Sequence, residues 1–221
     1  GLYTWMNNPE SQMVAVTVKA GSKAEMALPD GTFVHLNAAT NLEYDVNNSK
    51  QRLVKLSGEA FFDVAKNPDC PFKVIINDLQ IEVVGTSFNV KTYKKDIVET
   101  SLLSGRIRIS GGSLPHEYTL SPGQKATYSA MDRTLRISKA DAHVEAGWRD
   151  NYLIFESTPL IDVIAQIERW YGVEIRLHHK QIAQDLLSGS FRNESIQNVI
   201  RSLSIQYGFK YEIHKDIITI Y

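Results

Sequence analysis

The chain has 221 residues, a formal net charge of −1, and 43% hydrophobic and 22% charged residues. These values are ordinary for a globular protein that can bury its own core, and they exclude a bulk electrostatic field that would attract nucleic acid or anionic lipid. The single cysteine, Cys70, excludes an internal disulfide and a cysteine-rich metal site. The sequence has no apolar run of 18 residues, so we expect no membrane-spanning segment within it.

From about Val14 to Lys139 the sequence has the pattern of β-strands almost throughout. The run at 14–19 alternates valines with smaller or polar residues, and the turn sequence Leu28–Gly31 predicts a hairpin that continues into Thr32, Val34 and Leu36. Short apolar runs follow at Leu53–Leu56, Ala60–Val64, Phe72–Ile76, Ile81–Val84, Phe88–Thr92, Ile107–Ile109, Ala126–Tyr128 and Leu135–Ile137. Many short strands predict an all-β domain over 1–140, built as a sandwich, a barrel or a short β-solenoid.

Residues 141–150 are predicted to be a linker, and beyond them strands alternate with helices. This region carries an internal repeat in which seven pairs of similar residues are 36 positions apart: Phe155 and Phe191, Leu160 and Ile196, Val163 and Val199, Ile164 and Ile200, Ile167 and Leu203, Tyr171 and Tyr207, and Gly172 and Gly208. Each copy is predicted to run strand, helix, strand. The segment 151–221 is therefore predicted to be a small α+β module with two helices on one face of a sheet.

The two helices of the repeat are predicted over Leu160–Tyr171 and Ile196–Tyr207, because apolar residues recur there along one stripe. Gly172 and Gly208 are predicted to end them in the left-handed conformation. The N-terminal caps are predicted at Ser157 or Thr158, with Pro159 near the start, and at Asn193. Aromatic side chains predicted to seal the module and its junction with the β-domain are Trp148, Trp170, Tyr171 and Tyr207.

Two glycine-containing stretches could be taken for an active site. In LSGEAFFDV at 56–64, Glu59 and Asp63 share one face of a strand about 13 Å apart, which exceeds the roughly 5–10 Å of a catalytic carboxylate pair. We expect both to be solvated on a structural strand. In VVGTSFNVKTY at 83–93, Gly85 lacks the other glycines of a phosphate loop. It is predicted to mark a bulge or tight corner, with Thr86 and Ser87 bonding to nearby backbone.

No other motif predicts catalysis or metal binding. The six histidines lack the H-x-x-x-H spacing that places two imidazoles on one metal ion, and adjacent His178 and His179 are expected to face opposite sides of a strand. The G-x-S-x-G elbow of serine hydrolases does not occur, and Cys70 has no evident activating base. The sequence therefore predicts no enzyme, no cofactor and no metal site.

The C-terminal strands are the predicted recognition elements. Strands are predicted at Val173–Leu177, Phe209–Ile213 and Ile217–Tyr221, and the last is short, apolar and at the chain end. At a sheet edge it would offer unpaired backbone groups to another strand, whereas the alternative is that it pairs internally and is covered. The predicted partner-binding residues are Phe209, Tyr211, Ile213, Ile218 and Ile220.

The longest motifs resemble a known family. LSGEAFFDVAKNPDCPFKVII, IEVVGTSFNVKTY, SLLSGRIRIS and LSPGQKATYS resemble the periplasmic region of FecR-family anti-sigma factors. The segments from WRDNYLIFESTPLIDVIAQIERWYGVEI to YEIHKDIITIY resemble the C-terminal module of Bacteroidetes members, which is similar to the short N-terminal domain of secretins and TonB-dependent receptors. The resemblance covers residues 14–221.

This resemblance implies a periplasmic region of a single-pass inner-membrane protein, preceded by a cytoplasmic anti-sigma segment and one membrane helix. The chain starts at Gly1 without methionine, so we expect both to be missing and Leu2–Met6 to be a juxtamembrane remnant. The implied partners are the N-terminal signalling domain of a TonB-dependent outer-membrane transporter and, through the absent segment, an extracytoplasmic-function sigma factor. No catalytic residues are implied.

Two other hypotheses remain open from the residues. A carbohydrate-binding β-domain of a polysaccharide-utilisation system could present Phe61, Tyr93, Tyr118 and Tyr128 to sugars. A structural assembly component would also suit a short module with a strand edge. Neither nucleic acid nor a membrane surface is a predicted partner.

Overall fold

The computed structural model describes residues 11–46 and 50–221. The segment Leu2–Met6, expected to be a juxtamembrane remnant, lies outside these ranges. Across the ranges that are described, no helix has the length and apolar character needed to cross a bilayer.

The first part of the described chain consists of short strands. They are β1 Met13–Val18, β2 Ala24–Ala27, β3 Phe33–Leu36, β4 Thr40–Asp45, β5 Arg52–Ser57, β6 Glu59–Asp63, β7 Phe72–Ile76, β8 Leu79–Val83, β9 Ser87–Lys91, β10 Ile97–Ser104, β11 Ile107–Gly111, β12 Tyr118–Leu120, β13 Gln124–Ser129 and β14 Thr134–Lys139. One sheet has the order β1-β4-β5-β7-β8-β11-β12, and a second has the order β14-β13-β10-β9-β6-β3-β2. All pairs are antiparallel except β5 and β7.

The two sheets pack face to face around one shared apolar core. At its centre Phe62 of the second sheet contacts Phe72 of the first, with ring centroids 5.8 Å apart, and stacks on Phe88 at 5.2 Å. Alternate residues of each strand point into this core, as the period of a half-buried strand requires. Of the three architectures left open by the sequence, the β-domain is therefore a sandwich.

The first predicted hairpin is confirmed. Strands β2 and β3 pair antiparallel from Ala24–Leu36 to Ala27–Phe33, and the backbone N–H of Leu28 donates to the carbonyl oxygen of Thr32 at 2.8 Å. Gly31 takes a φ of 87°, a conformation that side chains with a Cβ atom rarely adopt. The Asp30 carboxylate accepts from both the backbone N–H and the hydroxyl of Thr32, which fixes the turn.

Residues 141–150 form a short helix, α1 Ala142–Ala146, followed by a 3₁₀ turn at Gly147–Asp150. Asp141 caps α1 by accepting from the backbone N–H of His143 at 2.9 Å. The segment lies against the sandwich: Trp148 and Ala146 pack with Phe61 of β6 in a separate buried cluster.

The remaining elements form the C-terminal module. They are β15 Tyr152–Pro159, α2 Leu160–Tyr171, β16 Glu174–Leu177, β17 Leu186–Arg192, α3 Ile196–Tyr207, β18 Tyr211–His214 and β19 Ile217–Ile220, with a 3₁₀ turn at Lys180–Ile182. The predicted order strand, helix, strand is confirmed for both copies of the repeat. The general prediction of a β-rich part followed by a small α+β part is also confirmed.

The prediction of one sheet with both helices on a single face is wrong. The strands divide into an antiparallel pair, β15 with β17, and a three-stranded sheet of order β16-β19-β18. Both sheets and both helices contribute to one core, including Phe155, Ile164, Ile200 and Ile218. The 36-residue repeat predicted the elements but carried no information about how their strands pair.

Both helices match their predicted bounds and end as predicted. Gly172 has a φ of 66° and Gly208 a φ of 71°, and each N–H donates to a carbonyl oxygen four residues earlier. The predicted caps are wrong: no side chain caps α2, where Pro159 holds the cap position, and Ser195 rather than Asn193 caps α3. The Ser195 hydroxyl accepts from the backbone N–H of Asn198 at 3.1 Å.

Candidate partner-binding surfaces

The C-terminal strand does not lie at a sheet edge. Strand β19 pairs in parallel with β16 on one side and antiparallel with β18 on the other, so it is the central strand of its sheet. Ile218 and Ile220 are buried in the module core, at 0% and 1% exposure. The prediction that these two side chains contact a partner is therefore wrong, and the alternative of internal pairing is confirmed.

The outermost strands of this sheet are β16 and β18 instead, and of these two only β18 contains predicted partner-binding residues. Among the described residues it pairs with β19 alone. His214 and Ile217 flank the two-residue turn between β18 and β19, and residues in these positions exchange backbone hydrogen bonds. The carbonyl oxygen of Lys210, four residues before His214, accepts from the N–H of Tyr221, so every second residue from Lys210 to His214 bonds to β19 or to Tyr221 directly after it. It follows that the backbone groups of Tyr211 and Ile213, which alternate with those positions, point away from β19.

The side chains of this edge are only partly covered. Ile213 is 36% exposed and Tyr211 is half-buried, while Glu212 and His214 face solvent. Phe209, the remaining predicted contact residue, is 5% exposed and stacks near Tyr207 at 6.5 Å, so its side chain belongs to the core. Of the five predicted partner-binding residues, Tyr211 and Ile213 thus lie on an available edge.

A second candidate surface is a cleft between the sandwich and the C-terminal module, with a volume of about 580 Å³. We call it the interdomain cleft. One wall comes from the sandwich, and the other comes from β15, from one side of α2, and from Trp148 of the linker. The charged and aromatic side chains that line it include Glu59, Lys91, Tyr93, Lys94, Glu99, Lys125, Glu145, Trp148, Asp162, Arg169 and Trp170.

Trp148 anchors the linker at the floor of this cleft. Its indole Nε1–H donates to Oδ1 of Asn89 at 3.0 Å, and Asn89 in turn donates from Nδ2 to the Glu59 carboxylate at 2.9 Å. Asn37 donates to the other carboxylate oxygen of Glu59 at 2.8 Å. Glu59 is 6% exposed, so the expectation that it is solvated is wrong: the linker covers this face of β6. Asp63 is exposed, as expected.

Arg169 of α2 reaches across the cleft to the sandwich. Its guanidinium carbon lies 3.9 Å from the centroid of the Tyr93 ring, within the range of a cation–π contact. Burial lowers the pKa of Arg169, partly offset by Tyr93 and Glu59. Burial, followed by the charge of Glu59, raises the pKa of the Tyr93 phenol well above its ordinary value, and that phenol donates to the carbonyl oxygen of Ala38.

Other charged pairs span the two parts of the chain. Lys94 Nζ lies 3.0 Å from Oδ2 of Asp162, and the Lys23 ammonium lies 3.6 Å from the Trp170 ring centroid. Burial lowers the pKa of Lys23. The backbone N–H of Gly21 also donates to the carbonyl oxygen of Arg169 at 2.8 Å. The module is therefore bound to the sandwich by apolar, ionic and backbone contacts together.

At one end of the cleft Lys125 forms ion pairs with two carboxylates: its Nζ atom lies 2.8 Å from Oε1 of Glu145 and 3.0 Å from Oε1 of Glu99. Burial alone would raise the pKa of Glu99, but the charges of Lys125 and Lys91 hold it below its ordinary value. Burial alone would lower the pKa of Lys125, and the two carboxylates raise it instead. The positive charge of Lys125 is therefore already paired with two carboxylates.

The VVGTSFNVKTY stretch builds the sandwich as predicted. A Cβ atom on Gly85 would lie 2.9 Å from the Cα atom of Lys66, so the two segments approach closely there. The Thr86 hydroxyl donates to the carbonyl oxygen of Arg106 at 3.1 Å. The Ser87 hydroxyl donates to the Asp63 carboxylate at 3.0 Å, which is a side-chain partner and not the expected backbone one.

No group of three or more metal-ligating side chains occurs within residues 11–46 and 50–221. Cys70 is a free, buried cysteine. Three of the four aromatic residues proposed for sugar binding are covered: Phe61 lies under the Arg149 guanidinium at 3.6 Å, Tyr128 is 4% exposed, and Tyr93 lies beneath Arg169. The fourth, Tyr118, packs against His116 with ring centroids 4.4 Å apart. This arrangement gives the carbohydrate hypothesis no support.

Sequence reasoning missed Arg169 and its contact with Tyr93, a residue that it named only as a candidate for sugar binding. The two residues are 76 positions apart and lie in different motifs, so nothing in the sequence indicated that their side chains meet. The aromatic residues that seal the junction were predicted correctly: Trp170 packs against both the module core and the Phe61–Trp148 cluster.

Comparison with known proteins identifies the family. Residues 14–108 match the family model described as FecR protein, and residues 152–220 match the model described as FecR, C-terminal. A search of curated proteins finds no match.

Two solved structures from Parabacteroides distasonis ATCC 8503, each described as a "putative anti-sigma factor", share the fold. The structure at 1.65 Å is 30% identical, with a TM-score of 0.84 over 94% of this chain and 98% of that one. The structure at 2.50 Å is also 30% identical, with a TM-score of 0.85 over 95% and 99%. The chain therefore belongs to the FecR family of anti-sigma factors.

Proposed function

We propose that this chain is the periplasmic, signal-receiving region of a membrane-anchored FecR-family anti-sigma factor. Membership of the family supports a regulatory protein that acts through other proteins. In the proposal, the cytoplasmic segment that holds or releases an extracytoplasmic-function sigma factor lies outside these 221 residues. The signal comes from the N-terminal signalling domain of a TonB-dependent outer-membrane transporter.

The free edge of β18 is the proposed docking site for that signalling domain. The observation that carries this assignment is that β18 is paired on one side alone among the described residues, with the backbone groups of Tyr211 and Ile213 directed outward. A strand of the partner would add to these groups, which is a common mode of recognition between sheets. The 36% exposed side chain of Ile213 would contribute apolar contact beside the new strand.

A proline at Ile213 tests the docking site. Because the Ile213 N–H points outward, Ile213→Pro removes a hydrogen-bond donor needed by an added strand without removing one from the β18–β19 ladder. We expect the affinity for the purified signalling domain of the partner transporter to fall at least about tenfold, measured by calorimetry. The matched control Ile213→Val keeps the N–H and should bind nearly as well as the parent.

A folded Ile213→Pro variant with undiminished affinity would show that β18 is not the docking edge. A failure of any transporter signalling domain to bind the parent protein would count against the proposed function itself. Stable self-association of the parent at micromolar concentration in size-exclusion chromatography would favour the structural assembly hypothesis instead.

A further inference from the structure

The interdomain cleft contains an arginine whose hydrogen-bonding groups are unused. Arg169 stacks on Tyr93, yet within the described residues its guanidinium has no carboxylate inside 4.0 Å and donates no hydrogen bond. Arginine is usually retained in partly buried positions because its planar fork of five donors pairs with a carboxylate or phosphate. The ring of Tyr93 holds this fork in one orientation, so little freedom would be lost when an acceptor arrives.

The nearby carboxylates already have other partners. Glu59 accepts from Asn37 and Asn89, Glu168 accepts from the backbone N–H of Ile175, and Asp162 pairs with Lys94. These three acidic groups act on Arg169 as charges without forming an ion pair with it. The donors of Arg169 are therefore available to an acceptor from outside the described chain.

A strand edge borders the same cleft. Strand β15 pairs with β17 alone in the part of the chain that the structure describes, and most of its residues line the cleft. Its regular pairing covers Tyr152–Phe155 before a bulge at Glu156 and Ser157, where Ser157 takes a φ of 46°. A stretch of four residues spans about 13 Å, which suits a short extended peptide.

The charges around the cleft discriminate between occupants. Five acidic and four basic side chains line it, so the cleft has no excess of positive charge that would favour a polyanion such as nucleic acid. A peptide with one acidic side chain satisfies the guanidinium fork while placing uncharged backbone along β15. The volume of about 580 Å³ lies within the range of clefts that enclose a ligand of several residues or a drug-sized molecule.

We propose that the interdomain cleft is a second docking site, which takes an extended peptide segment of a partner protein, adds it beside β15, and binds its Asp or Glu side chain to Arg169. This site is separate from the β18 edge and contacts both the sandwich and the module. A partner bound there would sense their relative position, whereas a partner on β18 contacts the module alone.

A phage-displayed library of random heptapeptides, selected against the purified chain, tests this proposal. We expect Asp or Glu to be enriched at one position with the parent protein and Arg169→Gln to abolish that enrichment. Arg149→Gln is the matched control, because Arg149 also stacks on an aromatic ring, Phe61, but does not line the cleft. It should select the same acidic peptides as the parent.

The most enriched peptide and its Glu→Gln or Asp→Asn version would then be compared by fluorescence anisotropy. We expect the amide version to bind the parent at least about tenfold more weakly, and Arg169→Lys, which keeps the charge but loses the fork, to lose much of the affinity. Selection without an acidic preference, or the same preference by a folded Arg169→Gln variant, would overturn the proposal. A peptide whose binding is weakened by Ile213→Pro and not by Arg169→Gln would also overturn it, because such a peptide would lie on β18.

Discussion

The β-sandwich and the C-terminal module bury their cores in different ways. In the sandwich, two seven-stranded sheets cover each other's inner faces, so most strands have neighbours on both sides. In the module, the strands form sheets of two and three, and every described strand except β19 is outermost in its sheet. Leu186, Ile205 and Ile213 remain exposed on the surface of the module. The comparison shows that unpaired strand edges are a larger share of the module than of the sandwich.

The two regions nevertheless share a junction, and that junction decides whether they behave as one unit. A small buried cluster of Phe61, Ala146 and Trp148 lies between their separate cores, with Trp170 packed against it. Changes at the junction should therefore affect both regions, whereas changes elsewhere in the module should affect the module alone.

The largest effect is expected from Trp148→Ala. The substitution empties the centre of the junction and leaves Oδ1 of Asn89 without its donor, so we expect a loss of about 3–5 kcal/mol in the free energy of unfolding. Urea unfolding followed by tryptophan fluorescence and by far-UV circular dichroism would measure it. Because the junction is weakened, the two signals should separate into two transitions. A cost below about 1 kcal/mol with a single transition would show that the junction does not couple the regions.

A smaller and more selective effect is expected from the two equivalent helix-ending glycines. Gly208→Ala meets open space, so its cost is the left-handed conformation alone, about 1 kcal/mol. Gly172→Ala adds a Cβ atom 3.2 Å from the carbonyl oxygen of Ala20 in the sandwich, and we expect about 2–3 kcal/mol in total. Thermal unfolding of both variants measures the difference. Equal costs would mean that Ala20 moves away from the added Cβ atom without a measurable loss of stability.

The smallest effect is a pH dependence centred on His35 of the sandwich. Burial lowers the pKa of His35, with Glu25 opposing the shift and the positive charge of Arg149 in the linker adding to it. The unfolded chain therefore binds a proton more readily than the folded protein, so stability should fall as pH drops through about 6.5. Chemical denaturation between pH 7.5 and 5.5 should show a shallower decline for His35→Gln. An unchanged pH profile in that variant would exclude His35 as the source.

Much of the local structure could be predicted from the sequence. The helices of the repeat follow from apolar residues on one stripe, and their ends follow from Gly172 and Gly208, because these signals act within a few residues. The hairpin at Leu28–Gly31 follows from its turn residues for the same reason. The family motifs, which are long and ordered, predicted the regulatory class.

The arrangement of strands and the surfaces could not be predicted in this way. Ile217–Ile220 looked like an edge because it ends the chain, but it inserts between β16 and β18, and only long-range pairing decides that order. Glu59 looked solvated because its strand alternates, yet the linker covers that face and Asn37 and Asn89 satisfy the carboxylate. The contact of Arg169 with Tyr93 likewise depends on how two regions meet.

The hydrogen bond from Gly21 to the carbonyl oxygen of Arg169 has a mechanical consequence. Gly21 lies in the turn after β1, and β1 runs back to Met13 near the start of the described chain. Displacement of helix α2 relative to the sandwich would therefore also strain the turn that directly follows the N-terminal strand β1.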